Sequence, residues 1–343
     1  MGPMETCIEA LVACAHGVGC RGIHWARGGY KWNASAAPKA RASFLGFSTL
    51  TAMRSSFALV LGALFAGVAF AAPTPATVLT PTGGKRLASN AHLVPEGGSV
   101  LHVDDSTVHV LDSAGNLVKE VAVDQTPVRA SKTQAAKSPL ETGWITYADW
   151  LNEGSSAISS FTTTWTVPPV PAANNGQTVF LFNSIEPNSG NAILQPVLQY
   201  GPSAAGGGSY WAVASWYLVG SSTFYTNPVK VSAGATLDGI ITLTSSSGSN
   251  YNYVTSFTNI GGTSLTASNS AQLTWATETL EAYALASTKD YPSGSTVFSG
   301  INLKLANGNV PSVSWSTTQD SADGLSTTVN TNGATNAKIT IKY

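Results

Sequence analysis

From Trp144 to the C-terminus, apolar and polar residues alternate with a period of two. The clearest runs are 161–167, 179–182, 210–219, 236–244, 251–257, 273–284, 297–305 and 338–343. They are rich in β-branched and aromatic residues, are separated by clusters of Gly, Asn, Ser and Pro, and contain no helix-length 3.6 pattern. This spacing predicts an all-β chain folded as an antiparallel two-sheet β-sandwich of concanavalin A or jelly-roll type. Upstream, 99–103 and 107–111 flank Asp104-Asp105-Ser106 and continue into 116–123, which reads as a small β-hairpin unit. The stretch 126–139 is aperiodic and rich in Lys, Arg, Ala and Ser, as suits an exposed, cleavable joint.

An apolar run at 57–70, preceded by Met53-Arg54 and ending in Ala69-Phe70-Ala71, reads as a secretory signal over 53–71. It is too short for a membrane span. Residues 1–52 hold all three cysteines and no hydrophobic period, so they are taken as an upstream extension, with Met53 as the initiator. A signal-anchor with a basic cytoplasmic tail is the alternative. The division that follows is a propeptide over 72–142 and a mature β-sandwich over 143–343, secreted and monomeric. Without cysteine, that secreted part relies on packing and backbone hydrogen bonds.

Only 10% of residues are charged, and from Gly143 onward five Lys/Arg face nine Asp/Glu, a formal charge of −4. Such a surface repels phosphate backbones, which argues against nucleic acid as a partner. Every histidine and cysteine lies at or before position 109. Ser-His-Asp and Cys-His nucleophiles and zinc sites are therefore excluded from the last two hundred residues or so. No metal or cofactor is expected. Carboxylate and amide remain for acid-base work, and the best-placed are Gln195, in Asn191-Ala192-Ile193-Leu194-Gln195, and Glu281, in 276–281. By strand parity Gln195 shares a face with Ile193, Val197 and Gln199, and Glu281 with Trp275, Thr277 and Thr279. Such mixed polar and bulky rows suit a groove lining, although ordinary solvent-facing strand positions give the same pattern.

Trp165-Thr166-Val167-Pro168, Gly176-Gln177-Thr178-Val179-Phe180, Ala192-Ile193-Leu194-Gln195, Ser215-Trp216-Tyr217, Val231-Ser232-Ala233-Gly234 and 276–281 fall in one order. Over 144–343 this order resembles the eqolisin-type glutamic peptidases. The resemblance implies a sandwich with a concave substrate groove, peptide-bond hydrolysis, and a catalytic dyad of Gln195 and Glu281. It also implies substrate contacts at Phe180, Glu186, Trp211 and Tyr217. In such a dyad the carboxylate takes a proton from a water that attacks the peptide carbonyl, and the carboxamide donates to the developing oxyanion. The family's Tyr-Asp-Ala-Trp-Tyr-Glu-Trp-Tyr stretch here reads 210–217 with both acids gone, and the acid before the glutamine strand has Ser184 and Glu186 as its nearest positions.

Two other functions fit the same architecture. A glycosidase would use Glu278 and Glu281, whose odd spacing brings both to one groove only across a bulge. A non-catalytic lectin-like sandwich would use Trp150, Trp165, Trp211 and Trp216 to stack on sugars. Finally, His92, His102 and His109 all fall within 72–142, so acidification adds charge to that segment and none from imidazole to the remainder. This arrangement predicts a pH-controlled release of the propeptide.

Overall fold

The computed structural model describes residues 75–129, 139–319 and 321–343. The extension and signal expected over 1–71 lie outside the described residues. The strands, in chain order, begin with β1 (Thr77–Thr80), β2 (Gly84–Leu87), β3 (Ala91–Leu93), β4 (Ser99–His102), β5 (Thr107–Leu111) and β6 (Leu117–Ala122). They continue with β7 (Gly143–Leu151), β8 (Ile158–Thr166), β9 (Thr178–Glu186), β10 (Ala192–Ser203), β11 (Gly206–Val219), β12 (Ser222–Tyr225) and β13 (Val229–Lys230). The remainder are β14 (Thr236–Ser247), β15 (Asn250–Phe257), β16 (Leu265–Ser270), β17 (Trp275–Tyr283), β18 (Ser295–Leu305), β19 (Ser316–Thr318), β20 (Ser326–Thr331) and β21 (Ala337–Lys342). Helical structure among the described residues is limited to single 3-10 turns at Ala88–Asn90 and Thr288–Asp290.

Two large sheets form the all-β sandwich. One runs β19-β7-β17-β9-β10-β11-β12-β3, with β13 beside β11, and the other runs β20-β21-β18-β8-β14-β15-β16-β4-β5-β6. Neighbours are antiparallel except at two junctions. There β3 lies parallel to β12 and β4 parallel to β16. The upstream segment forms the expected hairpin unit, β4-β5-β6, with antiparallel neighbours. That unit also joins the second sheet through β4 beside β16, while β3 joins the first beside β12.

The inner faces meet in one apolar core that includes Phe161, Trp165, Leu181, Leu194, Leu198, Trp211, Val213, Leu237, Phe257, Leu280 and Phe298. Gly239 leaves no room for a side chain: a Cβ there would stand 2.6 Å from Asn183 Oδ1 and 2.9 Å from the Trp165 ring. Strand β8 alternates buried and half-exposed positions, as a strand with one wet face does. By contrast, all nine positions of β9 are buried. The outer face of its sheet is therefore covered as well. A second apolar cluster lies there, built from Phe180, Phe182, Ile193, Val197, Ala214, Trp216 and Leu218, onto which Val128 and Leu79 pack from upstream.

Candidate active site

Strand β9 separates β10 from β17, and the outward positions of all three form the floor of the second cluster. Gln195 rises from β10 and Glu281 from β17, both fully buried. They converge on one residue, Thr82, at the tip of the β1–β2 hairpin. Its main-chain N–H donates to both carboxylate oxygens of Glu281, at 2.8 and 2.7 Å, and its hydroxyl donates to Gln195 Oε1 at 3.3 Å. The Trp144 indole N–H in turn donates to the Thr82 hydroxyl at 3.3 Å. The Gln195 Nε2 has no hydrogen-bond partner among the described residues.

The hairpin tip is held in an unusual conformation. Gly83 N–H bonds back to the Pro81 carbonyl at 2.7 Å, and Thr82 between them has φ +64°. That is a γ-turn with a β-branched residue at positive φ, an arrangement that costs on the order of 1–3 kcal/mol. The turn points the Thr82 N–H outward, into the carboxylate. Behind it, Arg86 donates to the carbonyls of Gly220, Ser222 and Val128 at 2.7, 3.3 and 3.4 Å, and Ala204 N–H donates to Leu79 at 2.7 Å.

Burial dominates the electrostatics of Glu281 and pushes its carboxyl up to about 8, against the Tyr283 hydroxyl and the Thr82 N–H, which hydrogen-bond to it and pull down. Glu186 adds a smaller push upward through its negative charge. Tyr283 lies two positions beyond Glu281 on the same face, and its own hydroxyl is held well above the ordinary tyrosine range, by burial first and then by the carboxylate. The parity row that singles out Glu281 would have found Tyr283 if carried one step further. Nothing in the alternation marks Thr82, whose only signal is the turn-forming run Pro81-Thr82-Gly83-Gly84.

Of the expected substrate contacts, Phe180 and Glu186 stand on the same outer face as the Gln195–Glu281 pair, with Phe180 opposite Glu281 in the ladder. Trp211 and Tyr217 are placed elsewhere. Both point into the core between the sheets, Trp211 against Tyr200 and Tyr217 against Phe224, with the Tyr217 hydroxyl 2.7 Å from His102 Nε2. It is Trp216, one residue away, that faces the groove side. Strand parity explains the difference, since 211 and 217 share one parity and 214, 216 and 218 the other.

Glu278 also takes the inner face. It reaches across to the Thr163 hydroxyl of the opposite sheet, and burial raises its carboxyl well above the usual range. The bulge near Glu281 lies in β7, between Trp144 and Thr146, so β17 keeps its alternation. Glu278 and Glu281 therefore occupy opposite sides of one strand, and no shared groove is available to the glycosidase pair.

No family model matches the chain, and no curated protein matches it significantly. Solved structures do. Scytalido-glutamic peptidase bound to a peptide-based transition-state analogue is similar at 15% identity and TM-score 0.42, covering 59% of this chain and 100% of that one. SCP-B, described as a member of the eqolisin family of peptidases and bound to the tripeptide Ala-Ile-His, is similar at 15% identity and TM-score 0.40 with the same coverage. The CBM2 module of a Lactobacillus casei BL23 phage J-1 evolved Dit protein is similar at 12% identity and TM-score 0.29, over 43% of this chain and 67% of that one. These are likenesses of fold alone.

Proposed function

We propose that this chain is the precursor of a secreted acid endopeptidase in which Gln195 and Glu281 form the catalytic pair and residues 72–142 act as a propeptide. The observation that supports it is the convergence of both side chains on a main-chain N–H and a hydroxyl at Thr82, two donors standing where the O–H groups of a bound water would donate. In this reading the hairpin tip stands where the attacking water belongs. Its departure readmits solvent, which lowers the desolvation of Glu281 and returns its carboxyl toward the acid range where it serves as a base. Ionised Glu281 takes a proton from water as the oxygen attacks the scissile carbonyl. The Gln195 amide donates to the oxyanion, and Glu281 returns the proton to the leaving nitrogen. Tyr283, hydrogen-bonded to Glu281, orients the carboxylate. Propeptide removal in the 126–139 joint yields the monomeric mature enzyme.

The test is incubation of the purified full chain with denatured protein from acid to neutral pH, alongside Glu281→Gln. Acid-dependent cleavage by the wild type that is insensitive to chelators, thiol reagents and serine-directed phosphonates, and is lost in the variant, is the expected result. Full cleavage by Glu281→Gln overturns it.

A further inference from the structure

Beside the dyad the outer face carries a corner unlike the rest of the groove. The rings of Trp144 and Trp275 lie 5.8 Å apart and nearly parallel, at 10°, and Tyr147 meets both edge-on at 5.2 and 6.4 Å. Asp149 accepts the Trp275 indole N–H at 3.0 Å, which fixes that ring. In the ladders Trp275 stands opposite Glu186, and Trp144 opposite Glu281, so the corner touches the dyad directly. The Arg129 guanidinium occupies it. Its carbon lies 4.0 Å from the Trp275 ring centre and 4.8 Å from that of Trp144, while its Nε is 3.1 Å from Glu186 Oε2.

We propose that Trp144, Trp275 and Glu186 form a subsite for an arginine side chain of the substrate, which Arg129 of the upstream segment fills in the precursor. The inference rests on the peptidase reading above. The chemistry selects arginine: a planar, weakly hydrated guanidinium spreads over indole faces and gives an N–H to a carboxylate, whereas an ammonium does the second and does the first less well. Glu186 is fully buried, and a buried carboxylate that loses a cation is costly. When Arg129 leaves, an incoming guanidinium restores what Glu186 and the two rings have lost. The preceding residue supports substrate-like seating. Val128 packs into the groove cluster and its N–H donates to the Gly190 carbonyl at 2.9 Å, so the segment is held by main chain and side chains together.

The test uses the full chain with Arg129→Ala and, in parallel, Arg129→Gln, titrated with Nα-acetyl-arginine amide and its neutral isostere Nα-acetyl-citrulline amide, read by tryptophan fluorescence and calorimetry. Saturable binding of the arginine compound by either variant, at least tenfold tighter than citrulline, absent in wild type and lost on adding Glu186→Gln, is the expected result. Equal binding of the two compounds, or none by a variant that melts as cooperatively as wild type, overturns the subsite. A second arm needs no variant: acid-activated wild type should cleave an arginine-containing peptide with at least tenfold higher kcat/KM than the matched citrulline peptide. Equal rates overturn the subsite while leaving the peptidase intact. Arginine binding by Arg129→Ala with no cleavage of any peptide removes the peptidase reading and upholds the guanidinium site.

Discussion

The main-chain N–H of Thr82 lies within 2.8 Å of both carboxylate oxygens of Glu281, a residue 199 positions later in the chain. The two oxygens share one proton, and because burial keeps the carboxyl protonated to about pH 8, the contact is worth about 0.5–1.5 kcal/mol, as for an uncharged hydrogen bond. Thr82→Pro deletes this donor and cannot adopt φ +64°. The variant precursor is expected to show 10- to 100-fold higher residual peptidase activity near neutral pH, measured before any processing. Residual activity equal to wild type would remove Thr82 from the blocking contact.

Gln195→Ala takes away the amide without touching Glu281. Loss of one oxyanion donor elsewhere costs roughly 100- to 1,000-fold in kcat, and a drop of that order with KM little changed is expected here. Circular dichroism should remain that of wild type, because Gln195 lies outside the core between the sheets.

Glu278 gives a pH signature in stability. Its folded carboxyl is raised well above the unfolded value by burial, so its stabilising contribution is complete below about pH 4.5 and is lost as pH rises toward the folded value. The slope for one such proton is about 1.4 kcal/mol per pH unit. Glu278→Gln removes that proton from the balance. Denaturant unfolding between pH 4 and 7 should show a flatter stability curve for the variant, and parallel curves would mean that Glu278 is ionised in the folded protein.

Two imidazoles of the upstream segment give the proposed release a pH dependence that can be tested. His92 packs on the Phe224 ring 5.2 Å away and accepts a hydrogen bond from the Lys119 ammonium at 3.0 Å, and burial, then that charge, lower it to about 4. His102 is lowered chiefly by burial, against a smaller raising effect of Asp105, and meets Tyr217 at 2.7 Å. Groups depressed on docking stabilise the docked state above the free value near 6.5, and that contribution falls away as pH drops below it. His109 sits apart, against the exposed Glu120 at 3.1 Å. The double variant His92→Gln, His102→Gln is expected to shift precursor activation to more acid pH, whereas His109→Gln leaves it in place. Superimposable activation curves for all three would dismiss the imidazoles.

Period-two alternation was enough to read the sandwich, because one wet face forces it in strands such as β8, and 161–167, 251–257 and 297–305 fall on strands of nearly those bounds. Alternation also placed Glu281 and Glu278 on opposite faces. It did not separate Trp211 and Tyr217 from Trp216, since along β11 both faces are apolar once the outer one is covered. The cover itself was illegible: Leu79 bonds to Ala204 and Thr82 to Glu281, 125 and 199 positions later in the chain and beyond any local pattern. The same holds for the Arg129 contact with Glu186, which only the folded chain brings within reach.

The proposed release of the upstream segment would open the two parallel junctions. Strands β3 and β4 shield the main-chain groups of Thr223, Phe224 and Tyr225 in one sheet and of Thr266, Ala267 and Ser268 in the other. Their removal lays bare two rows of unpaired donors and acceptors at once, each a template for a foreign strand. Each row is only three residues deep, too short to hold an extended chain firmly. In the proposed release, the brevity of these borrowed edges limits pairing of the freed sandwich with its own copies.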